Sequence, residues 1–579
     1  MLEQDKGQGL QPLDREQAIG KSREGIPLVT TTRPKTMAEL TAPGGPFPLV
    51  TRTVNGVELQ VYDRDPRTLR DAFLATRAHG DQIAVVYADE RYTFADQWDI
   101  VVALARRLRS DFGVRGGDRV AIAMRNYPEW IFSFWATQLL GAVTVPLNAW
   151  LTAPELGALI ADSEPVVIIA DQDRINRVRA AGEASGAAPL PLIGVRTEGD
   201  QDGVTTFDGL GRDAGGAEPP DAEISPDDMA TILYTSGTTG RPKGAVGTHL
   251  NHTASLLNKL IRAEMGGAAR GSNKLVTYPF FHIAGINTMY SATYSGHLMV
   301  LMYKWDIGDA LGLIERERVT EMAGAPFVIR TFIEAAVKSD RDLSSLNSIG
   351  LGGSAAPAQL ITDVYEYFDG RVSPRTGFGS TETTSGVVAI GGRTYVERPD
   401  SVGTILPGVE MRIVDGDTPV PEGELGEIVF KGPQVVSGYW HAPEASAATF
   451  RDGWFHTGDT GRIDQDGYLY ILGRIKDIVI RGGENISCGE VEGCLGNHPD
   501  VVEVAAYGVP HPTLGEELGV VACLSADSTA TADDLRKFVG ERLAAFKVPA
   551  HVTLSSLPLP RTASGKVIKR ELAGFIAGQ

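Results

Sequence analysis

The sequence predicts an α/β protein: a large N-terminal domain of α/β sheets carrying a small β subdomain, then a small α+β domain at the C-terminal end. Three observations lead there. Between residues 70 and 195, segments of helical period alternate with short apolar runs, the pattern of strands covered by helices. From 403 to 470 the pattern changes to short alternating strands broken by Gly/Asp turns such as Asp415-Gly416 and Asp466-Gly467, which predicts a β unit. From 479 onward roughly a hundred residues carry their own strands and helices, enough for a separate domain. A chain of 579 residues is in any case too long for one core.

In order along the chain, residues 1–36 are polar and aperiodic, and 1–44 is read as a disordered extension preceding a domain that spans 45–475. Helical period covers 69–79 and 128–140, and strand character covers 83–87, 119–124, 143–146 and 166–170. Residues 198–228, rich in Gly, Asp, Pro and Glu, read as a long surface connection. Apolar strands and helices resume at 275 and continue to about 388, and the β-rich part occupies about 400–473. In the C-terminal domain, 476–579, a helix starts near Glu490, strands cover 502–509 and 519–524, and a helix covers 531–543. There is no internal repeat.

A net charge of −19 keeps such a chain soluble and argues against nucleic acid or an anionic membrane as partner, so small molecules are expected. No run of 18 apolar residues occurs and the first residues are acidic, which predicts a cytoplasmic protein without an integral membrane segment. Cys488, Cys494 and Cys523 have neither disulfide nor metal-ligand spacing and read as small apolar residues. Oligomeric state is not legible in a sequence, a homodimer being one option.

The most informative stretch is Tyr234-Thr235-Ser236-Gly237-Thr238-Thr239-Gly240-Arg241-Pro242-Lys243-Gly244, which follows the apolar run Ile232-Leu233. Glycines let backbone N–H groups approach anionic oxygens, hydroxyls add donors, and Lys243 adds a point charge, so the loop suits a polyphosphate. It is not a Walker A loop, because Gly244 follows Lys243 where that motif needs Ser or Thr. A Gly/Thr hairpin shares this composition over five residues, but not over eleven.

Further motifs follow in order: Tyr278-Pro279-Phe280-Phe281-His282, Gly377-Phe378-Gly379-Ser380-Thr381-Glu382, Thr457-Gly458-Asp459, Gly473-Arg474-Ile475-Lys476-Asp477 and Ser564-Gly565-Lys566. With the Gly/Thr loop they resemble the acyl-CoA synthetase, or adenylate-forming, superfamily over about residues 45–575, and bacterial fatty-acid–CoA ligases in particular. The resemblance implies ATP and CoA as co-substrates, Mg²⁺ as cofactor, and a mobile C-terminal lid hinged at 476–477. By it, Thr235, Ser236, Gly237, Thr238, Thr239, Gly240 and Lys243 hold the β- and γ-phosphates, Thr381 donates to the α-phosphate, and Glu382 binds Mg²⁺ through a hard oxygen. Asp459 and Arg474 take the ribose. Gly353, Ser354, Ala355 and Gly377 let the base approach backbone, and Phe378 stacks on adenine, where the superfamily more often has Tyr. Lys566 bridges the acid and the α-phosphate, Lys476 is the hinge, and Gly482 and Gly483 line the CoA tunnel.

Plainer readings stand beside these. Thr381-Glu382 alone looks like a helix N-cap with an acidic first turn. Asp459 alone looks like an Asx turn between strands, and Lys566 like a solvated surface lysine. His282, in an apolar context, is read as a substrate-site or gating residue and as much a packed histidine as a base. Leu351-Gly352-Gly353-Ser354 is rejected as a carrier attachment site because the residue expected between glycine and serine is missing.

The predicted function is an ATP-dependent carboxylic acid–CoA ligase acting through an acyl-adenylate. The segments 282–290, 326–333 and 350–353 are largely apolar and are expected to line the acyl pocket, a composition that fits a hydrophobic acyl chain, an aryl ring or a fused-ring acid; the similarity of 145–150 and 302–306 to bacterial fatty-acid–CoA ligases implies a medium- or long-chain fatty acid. Two alternatives remain open: an adenylase passing its adenylate to a carrier protein or an amine, and a non-catalytic nucleotide-binding regulator. An amino-acid-activating module would show an Asp near Phe280-Phe281-His282, and none is there.

Overall fold

The computed structural model describes residues 36–572 other than 187, 200, 211–215, 236–241, 267–271, 354–355, 482–483, 526 and 562–566. Two large sheets build the N-terminal part. The first runs, edge to edge, Lys243–Thr248, Met229–Thr235, Val143–Pro146, Arg119–Ala123, Val167–Asp171, Leu192–Val195 and Val204–Thr206. All its pairings are parallel except the first, where Thr235 lies opposite Lys243 across the mouth of the Gly/Thr loop. The second has nine strands, with Ile83–Tyr87, Leu298–Leu301, Asn273–Val276, Glu321–Gly324, Ser348–Leu351 and Ser373–Ser380 parallel in its centre. Ser385–Gly391 and Glu90–Thr93 pair antiparallel beyond the two ends of that centre.

One core joins the two sheets, with Val85, Met299 and Phe280 on one side and Val120, Ile122 and Val167 on the other. The helix Pro128–Leu139 lies within it and buries all twelve residues, so its sequence is apolar all round rather than on one stripe. Its two hydroxyls are satisfied within the helix: the Ser133 hydroxyl donates to the Glu129 carbonyl at 2.6 Å, and Thr137 to Ser133 at 2.8 Å.

The β subdomain is a six-stranded antiparallel sheet from Glu410–Asp415 to Leu469–Arg474. It begins later than the sequence pattern suggests, because Thr404–Ile405 pairs with Ser385–Gly391 in the nine-stranded sheet. Between Arg474 and Ile478 the chain makes one tight turn, Ile475–Asp477, and enters a separate five-stranded sheet. There Cys488–Gly496 and Ala532–Gly540 pack Val491, Leu495, Leu535 and Val539 onto Val479, Leu518 and Val520. All three cysteines are free, and burial pushes the Cys488 thiol up to about 12, as a packing role requires.

Two sequence expectations fail locally. Residues 36–44 are not part of a structureless extension: Thr36 and Glu39 form a capping box, the helix Met37–Thr41 follows, and Leu40 is buried with Phe47, Tyr62, Leu257 and Ile261. Residues 1–35 lie outside the described residues. The 198–228 connection likewise holds the edge strand Val204–Thr206 and the turn Phe207–Gly209, which drops Phe207 and Leu210 into the core. Two apolar anchors in a Gly/Asp-rich stretch are too few to show a period.

Candidate active site

The Gly/Thr loop leaves one sheet strand and returns on its antiparallel neighbour. The Thr235 hydroxyl donates to the Lys243 carbonyl at 3.4 Å, closing the mouth of the loop. The loop residues Ser236, Gly237, Thr238, Thr239 and Gly240 lie outside the described residues, as do Ser354, Ala355, Gly482, Gly483 and Lys566. Lys243 projects its ammonium over the ring of Tyr439, 5.1 Å from the centroid. The Tyr439 hydroxyl in turn donates to Oε1 of Glu382 at 2.9 Å, and burial together with that carboxylate pushes the phenol pKa up. Tyr439 thus stands between the loop lysine and the proposed metal carboxylate. It is seated by backbone hydrogen bonds on both sides, Val246 N–H to the Gly438 carbonyl at 3.1 Å and Trp440 N–H to the Gly244 carbonyl at 2.7 Å.

Thr381 and Glu382 do not cap a helix. They occupy a tight turn between Ser373–Ser380 and Ser385–Gly391, where Thr384 N–H reaches the Thr381 carbonyl at 3.0 Å. Thr384 and Ser385 hold positive φ angles of 47° and 92°. The turn is pinned from beneath by Gln434, whose amide donates to the carbonyls of Thr383 at 3.3 Å and Gly386 at 3.2 Å. Glycine is required just before it. A Cβ on Gly379 would sit 2.0 Å from the Ser385 carbonyl oxygen, and one on Gly377 2.4 Å from that of Val388. The half-buried Phe378 between them packs on Phe430 of the β subdomain at 5.8 Å between centroids.

Asp459 lies within a strand, Trp454–Ile463, rather than in an Asx turn. It is 8% exposed, and Arg474, its register partner on Leu469–Arg474, donates to Oδ1 from Nε at 3.0 Å. The pair marks the last residues of the β subdomain before the turn that contains Lys476. The half-buried His282 caps Ile283–Ser295, its Nδ1 accepting from Ala284 N–H at 3.2 Å. Gly353 is exposed with φ of 90°.

A cavity of about 220 Å³ opens beside these elements, bounded by Tyr278, Gly350, Gly352 and Gly377. Of the segments expected to line an acyl pocket it takes in Asn287 and 350–352 but none of 326–333, and polar side chains stand among its apolar ones. One wall is a face of the helix His249–Gly266, where Ser255, Asn258, Lys259 and Arg262 recur at i, i+3, i+4 and i+7. Arg375, in the strand Ser373–Ser380 that leads into the Thr381-Glu382 turn, closes another. The i, i+3, i+4, i+7 spacing of that stripe is present in the sequence but blurred by His249, Asn251, His252 and Thr253 in the same helix, and the pair Tyr439-Trp440 gave no sequence signal.

Residues 73–440 match the AMP-binding enzyme family and residues 490–566 the AMP-binding enzyme C-terminal domain. The chain belongs to the AMP-binding enzyme family. It is 37% identical to a feruloyl-CoA synthase of Amycolatopsis over 84% of this chain and 95% of that one. A 2-succinylbenzoate–CoA ligase of Bacillus licheniformis is 34% identical over 85% and 96%. The o-succinylbenzoate CoA synthetase of Bacillus subtilis, solved with its acyl-adenylate intermediate, superposes with a TM-score of 0.74 at 30% identity, covering 86% of this chain and 97% of that one. The same Bacillus subtilis enzyme has been solved with ATP and a magnesium ion. This AMP-binding enzyme is accordingly an AMP-forming acid–thiol ligase, with ATP and CoA as substrates and Mg²⁺ as cofactor. Glu382 fits that ion: it is one hard carboxylate oriented by Tyr439, and Mg²⁺ commonly takes its other oxygens from phosphate and water. No helix among the described residues is long and apolar enough to cross a membrane.

Proposed function

We propose that this AMP-binding enzyme activates an aryl or arylalkyl carboxylic acid in the cytoplasm and transfers it to CoA. The observation that carries the adenylation chemistry is the Lys243–Tyr439–Glu382 assembly, a cation and a metal-binding carboxylate fixed through one phenol. The acid's carboxylate attacks the α-phosphorus, and charge must be neutralised on the attacking and leaving sides of that centre. Lys243 and the Gly/Thr loop would take the leaving pyrophosphate, with Thr381 on the α-phosphate. Mg²⁺ at Glu382 would supply further charge neutralisation. Asp459 and Arg474 would hold the ribose, Phe378 and Gly353 the base, and Lys566 would bridge the acid and the α-phosphate. In the second half-reaction a turn about Lys476 would bring 481–485 to the site, with Gly482 and Gly483 along the CoA tunnel.

Support for an aryl acid over the fatty acid that the resemblance implies comes from two sides. The cavity beside Gly350 and Gly377, about 220 Å³ and lined by Tyr278 and Leu351 among others, has room for a ring and little for a long alkyl chain. The relatives named above carry aryl acids in their names. The test is pyrophosphate release with Mg·ATP across aryl, arylalkyl and fatty acids, with and without CoA, products identified by mass. An aryl-CoA product is expected. A fatty acyl-CoA as the best product would overturn the acid class, and an adenylate never passed to CoA would move the acceptor to a carrier protein or an amine.

A further inference from the structure

The turn that bears Thr381 and Glu382 is strained, and contacts from outside must hold it. Thr384 and Ser385 keep positive φ angles of 47° and 92°, which residues with a side chain hold only where the surroundings over-determine the backbone. The holding segment is 434–436. Besides the two bonds from the Gln434 amide to the Thr383 and Gly386 carbonyls, the Gln434 carbonyl accepts from the Thr384 hydroxyl at 2.8 Å, and Val436 N–H donates to the Glu382 carbonyl at 2.9 Å. That segment is set in turn by two asparagines seven positions apart on one face of His249–Gly266. Asn251 donates to the carbonyls of Pro433 at 2.8 Å and Val435 at 3.1 Å. Asn258 donates to Oε1 of Gln434 and to the Pro407 carbonyl, the latter at 3.2 Å.

One further proton completes this network. Gln434 gives both amide hydrogens to carbonyls, so its Oε1 can only accept; Asn258 gives both of its own, so its Oδ1 is a buried acceptor that needs a donor. The Tyr62 hydroxyl is that donor, at 2.5 Å. Tyr62, Asn258, Gln434, Thr383 and Thr384 are all buried, and burial pushes the Tyr62 phenol pKa up, which keeps its proton in place. Tyr62 ends the hairpin formed by Leu49–Val54 and Val57–Tyr62, and its ring packs with Leu40, Phe47, Leu257 and Ile261. That hairpin precedes residue 73, where the match to the AMP-binding enzyme family begins. We infer that Tyr62 is a positioning residue for adenylation: its hydroxyl, acting through Asn258 and Gln434, fixes the turn that presents Thr381 and Glu382. Without that proton Asn258 either keeps a buried acceptor unsatisfied or rotates and faces Gln434 with its oxygen, and in both cases the hold on the turn loosens.

This inference rests on the roles proposed for Thr381 and Glu382, and the test separates the two. Tyr62→Phe keeps the ring and removes only the hydroxyl, and Thr384→Val removes the hydroxyl at the other end of the relay while keeping the branching at Cβ. Both are assayed well below their melting temperatures. Single-turnover pyrophosphate release with Mg·ATP and the best acid of the panel should slow about fivefold or more in each variant. KM for the acid, and the rate of thioester formation from supplied adenylate, should stay within about twofold of wild type, which a general loss of packing would not spare. The double variant should lose much less than the product of the two single losses, because both act on Gln434. A wild-type rate in Tyr62→Phe, equal losses in both half-reactions, an effect confined to KM for the acid, or losses that multiply in the double variant overturns the inference. Where no acid releases pyrophosphate from the wild type, calorimetry of Mg·ATP with the full-length proteins decides. Binding weakened about threefold or more in Tyr62→Phe upholds the relay and overturns the adenylation reading, and equal binding overturns the relay as well.

Discussion

Replacing Tyr439 tests the assembly that joins Lys243 of the Gly/Thr loop to Glu382, the carboxylate proposed to bind Mg²⁺. Tyr439→Phe keeps the ring beneath Lys243 and removes only the hydroxyl that donates to Glu382 at 2.9 Å. A hydrogen bond to a charged group contributes roughly 1.5–3 kcal/mol, and because Glu382 is partly exposed the lower end applies. If the bond orients Glu382 for Mg²⁺ in the transition state, about 1.5 kcal/mol becomes a fall of about tenfold in the rate of adenylation. Tyr439→Leu also removes the ring under Lys243 and should lose about a further 0.5–2 kcal/mol. Single-turnover pyrophosphate release measured against Mg²⁺ concentration separates positioning from simple packing. The Phe variant should need more Mg²⁺ for half-maximal rate, while KM for the acid stays within about twofold, a change of only about 0.4 kcal/mol. A Phe variant with the wild-type rate and Mg²⁺ dependence would show that Glu382 is oriented without Tyr439, and the argument would fail.

Gly379→Ala drives a Cβ to 2.0 Å from the Ser385 carbonyl, so the turn must move; a cost of about 1–3 kcal/mol in stability and loss of most adenylation are expected, and a fully active variant would refute the tight-turn account. Lys566→Ala should nearly abolish adenylation yet spare thioester formation from supplied adenylate, whereas equal losses in both steps would remove its bridging role. Lys476→Pro should slow the thioester step more than adenylation, and an unchanged ratio of the two would argue against a hinge there. Burial holds His249 and His252 down to about 4 and about 3, below the unfolded value near 6.5. The unfolded chain therefore binds protons first, and stability present above pH 6.5 is lost as pH falls toward 4, by on the order of 3 kcal/mol for His249 alone. Urea midpoints between pH 7 and 4 should fall less steeply in His252→Asn, and parallel curves would refute that origin.

Much of the fold was legible because it rests on local period. The helix 128–140 and the strands 83–87, 119–124 and 143–146 fall within a residue of the observed elements, since apolar runs with capping residues fix them without help from distant chain. The helix Met37–Thr41 and the strand Val204–Thr206 were missed because each is too short to show a period and is held by Leu40 or Phe207 against cores formed elsewhere. The site divides the same way. Motifs in Thr235–Lys243, Thr381-Glu382 and Asp459 are visible in the sequence because the phosphate, metal and ribose roles proposed for them each demand particular atom types at short spacing.

Sequence by itself determined the family, the order of the sheets' segments and the chemistry of those motifs. Only tertiary structure decided that Tyr439, 57 positions from Glu382, donates to it. Structure also turned Ser255, Asn258, Lys259 and Arg262 toward a cavity that Arg375 lines as well, so that three basic side chains share it. Helical spacing puts residues on one face, but which face meets a cavity depends on what packs against the other, and that is a property of the whole fold.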